Sequence, residues 1–291
     1  MYRSSFYFLV LLLLTHCSAP DHEPERPVVA VSIRPLTDFT QQIGGEYVDV
    51  FTVIPAGSNP HTFELSPALM RKIVDSELLV LNGLGLEYWA DKVRENADET
   101  TVLVTTRVLH DFLETHHGHG SDDHHYNPHV WLDPVLAVQQ VKQICDALSE
   151  LDPEHANEYE LKADSLITGI SKLDTWIETQ VSGWSQKRFV TFHPAWFYFA
   201  RRYGLEIAGV IEKRPGAEPT PGDIREIIQQ VEAIDAKAVF TEAQFPSKVA
   251  EMIANESGVS VIALDPLGAT GRETYVDIMT YNVQQMARGL Q

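Results

Sequence analysis

Two histidines of this sequence share one local setting, because His61 and His129 each end an Asn-Pro-His triplet. The proline ring holds the backbone dihedral φ at about −65°, so the chain beside each imidazole is restrained before any ligand arrives. His193 and Asp265 each follow a run of residues that predicts a strand. Ligands of open parallel sheets bind at the carboxyl ends of strands, where these two residues fall. We therefore expect one site with three imidazoles and one carboxylate.

Three imidazole nitrogens and one carboxylate oxygen suit zinc better than the other common divalent metals. Zinc takes compact tetrahedral sites of nitrogen and oxygen with bonds of about 2.0 to 2.2 Å. Calcium and magnesium prefer about six or more oxygen ligands, so they fit this donor set poorly. Manganese is the nearest rival, although the Irving–Williams order favours zinc at a histidine-rich site.

A second group of histidines lies just before His129, within residues 116–125. This segment has no apolar periodicity, so we expect a surface loop. Neutral imidazoles in such a tract gather borderline metals, which suggests an auxiliary metal-binding loop. A solvated loop with no specific role is the alternative. The histidines concerned are His116, His117, His119, His124 and His125.

The elements that must position these residues alternate between strands and helices along the chain. Short β-branched runs separated by amphipathic segments predict an α/β fold of two lobes, each a parallel sheet flanked by helices. The predicted strands are 28–33, 48–54, 78–81 and 102–104 in the first lobe, and 189–192, 206–211, 238–241 and 259–264 in the second.

One long helix is predicted between the lobes, over residues 153–183. An aspartate cap and a proline at the first helical position start it, and apolar residues then recur at alternating spacings of four and three. Such a helix is a rigid strut that restricts hinge motion. A pair of ordinary helices broken at Gly169 is the alternative. The lobes then cover residues 28–152 and 184–291, with the metal site in the cleft between them.

The amino terminus has the features of an export signal. Residues 1–17 contain the apolar run 6–14, too short for a bilayer core of about 30 Å, and end at Cys17. Because this ending resembles a bacterial lipoprotein signal, we expect Cys17 to be lipidated and the protein to be periplasmic or anchored on the outer face of the cytoplasmic membrane. Residues 18–27 are polar and proline-rich, as in a tether. Cleavage near Ala19 without lipidation is the alternative.

Composition and cysteine usage exclude several classes of function. The chain has 291 residues and a formal charge of −19, which gives no electrostatic reason to bind nucleic acid or anionic lipid. It has two cysteines, so lipidation of Cys17 leaves Cys145 without an intramolecular partner and rules out a thiolate metal cluster. The sequence also lacks the phosphate-binding loop of ATPases and the nucleophile elbow of hydrolases.

Several separated motifs resemble the metal-specific solute-binding proteins of bacterial ABC importers, in their zinc and manganese cluster. The resemblance runs from about Val28 to the end of the chain. The motifs are Gly-Ser-Asn-Pro-His-Thr-Phe-Glu at 57–64, Asn-Gly-Leu-Gly-Leu-Glu-Tyr-Trp at 82–89, Asn-Pro-His-Val-Trp-Leu-Asp-Pro at 127–134, Phe-His-Pro-Ala-Trp-Phe-Tyr-Phe-Ala at 192–200 and Leu-Asp-Pro-Leu-Gly at 264–268.

The resemblance implies a metal site between two lobes, with His61, His129 and His193 as ligands and Asp265 in the fourth place. A histidine at position 193, where manganese-type members usually carry glutamate, is typical of the zinc subgroup, as is a His-rich loop before the second ligand. Glu242 matches a family acid near the cleft, and we expect it behind the ligands rather than on the metal. Many zinc-type members have a disulfide in the second lobe, which this chain lacks.

These features predict extracytoplasmic capture of Zn(II) and its delivery to the membrane subunit of an ABC permease, which works with a cytoplasmic ATPase. The protein is expected to be a monomer and not an enzyme. A manganese-binding protein of the same family is one alternative. A zinc hydrolase is an alternative of another class, since three protein ligands plus water make a catalytic site, with Glu242 as the candidate base. A role as a surface adhesin is compatible with either.

Overall fold

The computed structural model describes residues 26–97, 100–112, 126–214, 216–269 and 271–291. Two sequence predictions lie outside these ranges. One is the export signal with Cys17, and the other is the auxiliary loop with His116, His117, His119, His124 and His125. Within the described ranges, no helix combines the length and the apolar character needed to cross a membrane.

Two parallel four-stranded sheets form the centres of the two lobes, as predicted. The strand order is β2-β1-β3-β4 in the first lobe and β6-β5-β7-β8 in the second, and each neighbouring pair is parallel. The two sheets therefore have equivalent strand orders, and in each sheet the carboxyl ends of all four strands lie along the same edge. The strands are β1 (Val28–Val31), β2 (Asp49–Thr52), β3 (Leu78–Leu81), β4 (Thr101–Val104), β5 (Arg188–Thr191), β6 (Glu206–Val210), β7 (Ala238–Glu242) and β8 (Ser260–Leu264).

Helices cover both sheets and begin at residues suited to helix starts. Ser66 accepts a hydrogen bond from the backbone of Leu69, and Asp133 accepts one from Val135, so each caps the helix that follows. The α-helices of the described ranges are α1 (Arg34–Gly44), α2 (Pro67–Val74), α3 (Ala90–Arg94), α4 (Pro134–Leu151), α5 (Ala156–Ser182), α6 (Phe197–Arg202), α7 (Pro221–Ala233), α8 (Lys248–Ser257) and α9 (Tyr275–Leu290).

The segment after the glycine-containing turn predicts a helix over residues 86–96, but helix α3 covers only Ala90–Arg94. The three residues 83–85 all have positive φ angles, which no helix accommodates. The Glu87 carboxylate then folds back and accepts hydrogen bonds from the backbone N–H groups of Asn82 and Gly83, each at 2.9 Å. The turn therefore displaces the first helical turn that periodicity predicted.

Helix α5 is one continuous helix of 27 residues, about 40 Å long at 1.5 Å per residue. It begins after a 3₁₀ turn, Pro153–His155, and passes Gly169 without a break, so the alternative of two shorter helices is wrong. It packs against α1 and α4 of the first lobe and against α9 of the second. Its seven predicted apolar residues are all buried: Tyr159, Ala163, Leu166, Ile170, Leu173, Ile177 and Val181.

The hydrophobic core is continuous between the lobes. One cluster of buried side chains includes residues of both sheets and the apolar face of α5. Trp131 of the first lobe and Trp196 of the second both belong to it and are fully buried. Because close-packed interiors transmit displacement, the two lobes are mechanically coupled behind the cleft.

Candidate metal site

Three imidazoles converge in the cleft between the lobes. Nε2 of His129 lies 3.2 Å from Nε2 of His61 and 3.1 Å from Nε2 of His193. Two nitrogens bound to one tetrahedral zinc at about 2.0 to 2.1 Å are about 3.3 Å apart, so these separations fit a shared ion. Within the described ranges, these residues form the one group of three or more whose candidate ligand atoms lie within 4.8 Å of one another.

The first lobe positions two of the imidazoles through the same local turn. Oδ1 of Asn59 accepts a hydrogen bond from the backbone N–H of His61 at 2.9 Å, and Oδ1 of Asn127 does the same for His129 at 3.0 Å. Oδ1 of Asn127 also accepts from Nδ1 of the His129 ring, at 2.7 Å. Because Nδ1 carries the proton, Nε2 of His129 presents its lone pair to the cleft.

The second lobe positions the third imidazole between two neighbouring strands. His193 follows β5, and Glu242 is the last residue of the adjacent strand β7. Nδ1 of His193 donates to Oε1 of Glu242 at 2.8 Å, and the Glu242 side chain is fully buried. The carboxylate therefore fixes both the orientation and the tautomer of this ring, leaving Nε2 free to bind a metal.

The electrostatics of the site keep at least one imidazole uncharged. Burial, followed by the charge of the nearby His193, lowers the pKa of His61 to about 4. Its ring is therefore neutral at physiological pH, the form that coordinates metal.

The space enclosed by the imidazoles is small and has acceptor oxygens in its wall. It measures about 10 Å³, enough for one ion or one water. Glu242 and Gln244 also line it, and Oε2 of the first and Oε1 of the second are buried without a hydrogen-bond partner in the described part of the chain. A cation in this space would give both oxygens an electrostatic partner.

The structure does not bring Asp265 to the three imidazoles, which corrects the expected fourth ligand. Its buried carboxylate accepts hydrogen bonds from Gly268 N at 2.9 Å and from Arg272 Nε at 2.8 Å, and Arg272 Nη2 lies 2.7 Å away. The carboxylate is thus neutralised within its own loop, where it stabilises the turn after β8. The nearby Arg272 in the sequence was the available signal for this ion pair.

Several hydrogen bonds across the lobes involve residues that the sequence analysis did not single out. Nε1 of Trp131 donates to the carbonyl of Pro266 at 2.8 Å, and the Tyr275 hydroxyl donates to the carbonyl of Trp131 at 2.7 Å. The backbone N–H of Tyr275, at the start of α9, donates to Asp38 of α1 at 2.7 Å. One signal in the sequence marks these residues: each has a polar group within a segment that is otherwise apolar enough to be buried.

Comparison with known proteins gives a family match over nearly the whole folded part of the chain. A family model described as "Zinc-uptake complex component A periplasmic" matches residues 29–289. The match includes both sheets, helix α5 and the three imidazoles.

Individual relatives differ in the metal that they are named for. The manganese-binding lipoprotein MntA of Halalkalibacterium halodurans is 31% identical, with 98% of this chain and 97% of the relative covered. The zinc-binding lipoprotein AdcA of Streptococcus pneumoniae is 29% identical over 96% of this chain, which spans 58% of AdcA. A crystal structure of a ZnuA deletion mutant with zinc bound superposes with a TM-score of 0.82 at 30% identity, with 92% of this chain and 99% of that chain covered.

Proposed function

Because this chain belongs to the family of periplasmic zinc-uptake components, which are the metal-binding components of ABC importers, we propose that it captures Zn(II) between its lobes and delivers it to a membrane permease. The observation that carries the proposal is the convergence of three Nε2 atoms at 3.1 and 3.2 Å. The family consists of solute-binding proteins rather than enzymes, so the hydrolase alternative is set aside.

Zinc rather than manganese is the proposed cargo. The names of the relatives support either metal, since MntA is a manganese-binding protein and AdcA a zinc-binding protein. The donor chemistry supports zinc over manganese. Three imidazole nitrogens with no carboxylate among them favour zinc, because manganese is better served by oxygen ligands.

The proposed ligands are Nε2 of His61, His129 and His193. Glu242 acts behind them, holding His193 through its Nδ1 proton. An outer partner of this kind raises the basicity of the ligand and limits its rotation. An oxygen donor is proposed to complete the tetrahedral shell, and the unpartnered Oε2 of Glu242 and Oε1 of Gln244 give such a donor two acceptors in the cavity wall.

Capture is proposed to hold the lobes together locally. The first lobe provides two imidazoles and the second lobe one, so an ion that binds all three stabilises the arrangement in which the cleft is closed. Helix α5 packs on both lobes, and the core continues between them. Loading and release are therefore proposed to involve a small tilt and rearrangement of the loops at the cleft, rather than a wide opening.

The remaining features of the proposal concern segments beyond the described ranges. Lipidation at Cys17 would anchor a monomeric binding protein on the outer face of the cytoplasmic membrane, close to its permease. The loop of residues 116–125 would concentrate zinc near the cleft through its histidines, without forming part of the high-affinity site.

Metal analysis of the purified protein tests this function. After deletion of residues 116–125, we expect about one zinc per chain, retained against an excess of manganese. The His61→Ala and His193→Ala variants should lose that zinc while keeping the far-ultraviolet circular dichroism of the parent. Retention of zinc by both variants, or preference of the parent for manganese, would refute the proposal.

A further inference from the structure

Asn127 contacts both lobes at the point where the imidazoles meet. Its Oδ1 accepts from the backbone N–H and from Nδ1 of His129. Its Nδ2 donates to the carbonyl of Pro194 in the second lobe at 2.6 Å. Its backbone carbonyl accepts from the hydroxyl of Tyr198, also in the second lobe, at 2.9 Å. Asn127 is itself buried, with 3% of its surface exposed.

Through these bonds, one amide positions two parts of the site, the His129 ring and the backbone beside His193. The acceptor half of the amide fixes the direction of the His129 ring. The donor half fixes the backbone immediately after His193, because Pro194 is the next residue. Any rotation of the amide therefore moves the two rings relative to each other. A planar amide holds its donor and acceptor in a fixed relation, which a hydroxyl or a carboxylate cannot reproduce.

Asn59 provides a matched comparison within the same chain. It occupies the same position in the other Asn-Pro-His triplet, and its Oδ1 accepts from the backbone N–H of His61. In the described part of the chain, however, its side chain makes no hydrogen bond to the second lobe. The two asparagines thus share the local turn and differ in the bond across the cleft.

We propose that Asn127 is a positioning residue that couples the orientation of the His129 ring to the docking of the second lobe. It thereby sets the spacing of His129 and His193 before metal arrives. The proposal rests on the proposed function insofar as these two rings are metal ligands. Its structural part, the tie between the lobes, concerns the metal-free protein and stands independently of the cargo.

The Asn127→Asp substitution separates the two roles of the amide. The carboxylate retains acceptors for both bonds to His129 but loses the donor to Pro194, so it places an oxygen against that carbonyl. The expected result is a longer distance between the lobes in the metal-free protein and zinc affinity weaker by about 10-fold. The Asn127→Ala substitution removes both roles, and we expect affinity weaker by about 100-fold.

The experiment measures distance and affinity on the same proteins. Spin labels are introduced through unnatural amino acids at Asp91 and Lys237, whose side chains are 85% and 64% exposed in the first and second lobes. Their separation is measured with and without zinc, and zinc affinity is measured by chelator competition. The absorption spectrum of the cobalt-substituted protein reports the ligand geometry. Asn59→Asp is the control, with the same charge change and an unchanged distance between the labels.

Two results would overturn the proposal. One is an Asn127→Asp protein with the parental label distance and zinc affinity. The other is an Asn59→Asp protein that separates the labels as far as Asn127→Asp does, because charge alone would then explain the effect. If the parent binds no zinc but Asn127→Asp still separates the labels, the proposed function fails and the tie between the lobes stands. If Asn127→Ala does not fold, the Asp variant carries the test.

Discussion

The two Asn-Pro-His segments are alike in sequence and differ in how firmly the fold holds them. In both, an asparagine oxygen accepts from the histidine backbone. Of these two histidines, within the described ranges, only His129 also has a side chain bonded to its ring Nδ1. His129 is buried, whereas His61 is partly exposed. The segment at 127–129 is further tied to the second lobe.

This difference indicates a division of labour between the two triplets. His129 lies within 3.2 Å of both other Nε2 atoms, so it is the centre of the cluster. Its ring is preorganised by groups on both sides of the cleft, whereas His61 is carried by a loop with fewer constraints. A local motif therefore sets the backbone turn, and the surrounding fold determines how precisely the ligand is placed.

Removing the imidazole of His129 or of His61 should give the largest difference in zinc affinity between the two Asn-Pro-His segments. The His129→Ala variant should bind zinc about 1,000-fold more weakly, above the 10- to 100-fold typical for loss of an outer partner. The His61→Ala variant should lose less affinity, because it keeps His129, whose ring Asn127 holds in place and whose Nε2 is the closest to both other Nε2 atoms. Isothermal titration with zinc measures both. Equal losses in the two variants would contradict the central position of His129.

The third imidazole, His193, is held by the carboxylate of Glu242 instead of an amide, so it can be compared with His129. Replacement of Glu242 by alanine should weaken zinc binding by about 10- to 100-fold, because His193 loses its orienting acceptor. The Glu242→Gln variant keeps an acceptor oxygen and should recover most of that affinity. Chelator competition at neutral pH measures the pair. Equal affinities for the alanine and glutamine variants would show that the hydrogen bond to His193 is unimportant.

A buried amide beneath the 127–129 segment should affect stability as well as binding. Nδ2 of Asn82 donates to the carbonyl of Pro128 at 2.9 Å, and Gln140 donates to Asn82 Oδ1 at 3.0 Å. The Asn82→Ala variant removes both bonds. The Pro128 carbonyl then keeps only the backbone N–H of Val130, and Gln140 Nε2 keeps only the Thr105 hydroxyl, which should lower the free energy of unfolding by about 1 to 3 kcal/mol. Denaturant unfolding of the metal-free protein measures this. Asn59→Ala is the control, and an equal loss there would argue against a special role for the buried network.

The pH dependence of stability should show the contribution of the His61 ring. Its pKa is lowered from 6.5 to about 4 in the folded protein, so the unfolded chain binds more protons between these values. Stability of the metal-free protein should therefore fall as pH drops from 6.5 towards 4. The His61→Ala variant should show a shallower fall, measured by thermal unfolding at pH 7, 5.5 and 4.5. Identical slopes for variant and parent would mean that His61 is not the group responsible.

The prolines of the two triplets should give the smallest effects. Replacing Pro60 or Pro128 by alanine adds freedom to the unfolded chain and should cost about 0.4 to 1 kcal/mol of stability. Zinc affinity should fall more for Pro60→Ala, because the His129 segment is also held by Asn82 and by Pro194. Parallel titrations of the two variants provide the comparison. A larger loss for Pro128→Ala would reverse this order.

Much of the fold was predictable because its signals are local. Runs of β-branched residues located the eight strands found in the described ranges, and the seven-residue apolar stripe located helix α5. Helix α3 was overestimated because the Glu87 side chain competes for the backbone of residues 82 and 83, a contact that periodicity does not reveal.

The site was predictable to the extent that strand ends and restrained triplets mark positions. His61, His129 and His193 meet as expected, but Asp265 turns into its own loop. Whether a carboxylate at a strand end faces the cleft depends on whether a nearby cation, here Arg272, binds it first. That depends on the folded positions of both side chains, which the sequence does not give. The bond from Asn127 to Pro194 was likewise beyond the sequence, since it joins residues 67 positions apart.

Trp131 gives the molecule a built-in optical reporter. Its indole is fully buried, its ring lies 5.2 Å from that of His129, and its N–H donates across the cleft to Pro266. Indole emission responds to the polarity of its surroundings and to nearby charge, so an ion entering beside His129 should change the intensity or colour of this fluorophore. Arrival or departure of the cargo should therefore change the contribution of Trp131 to the emission of the unlabelled protein, which has five tryptophans.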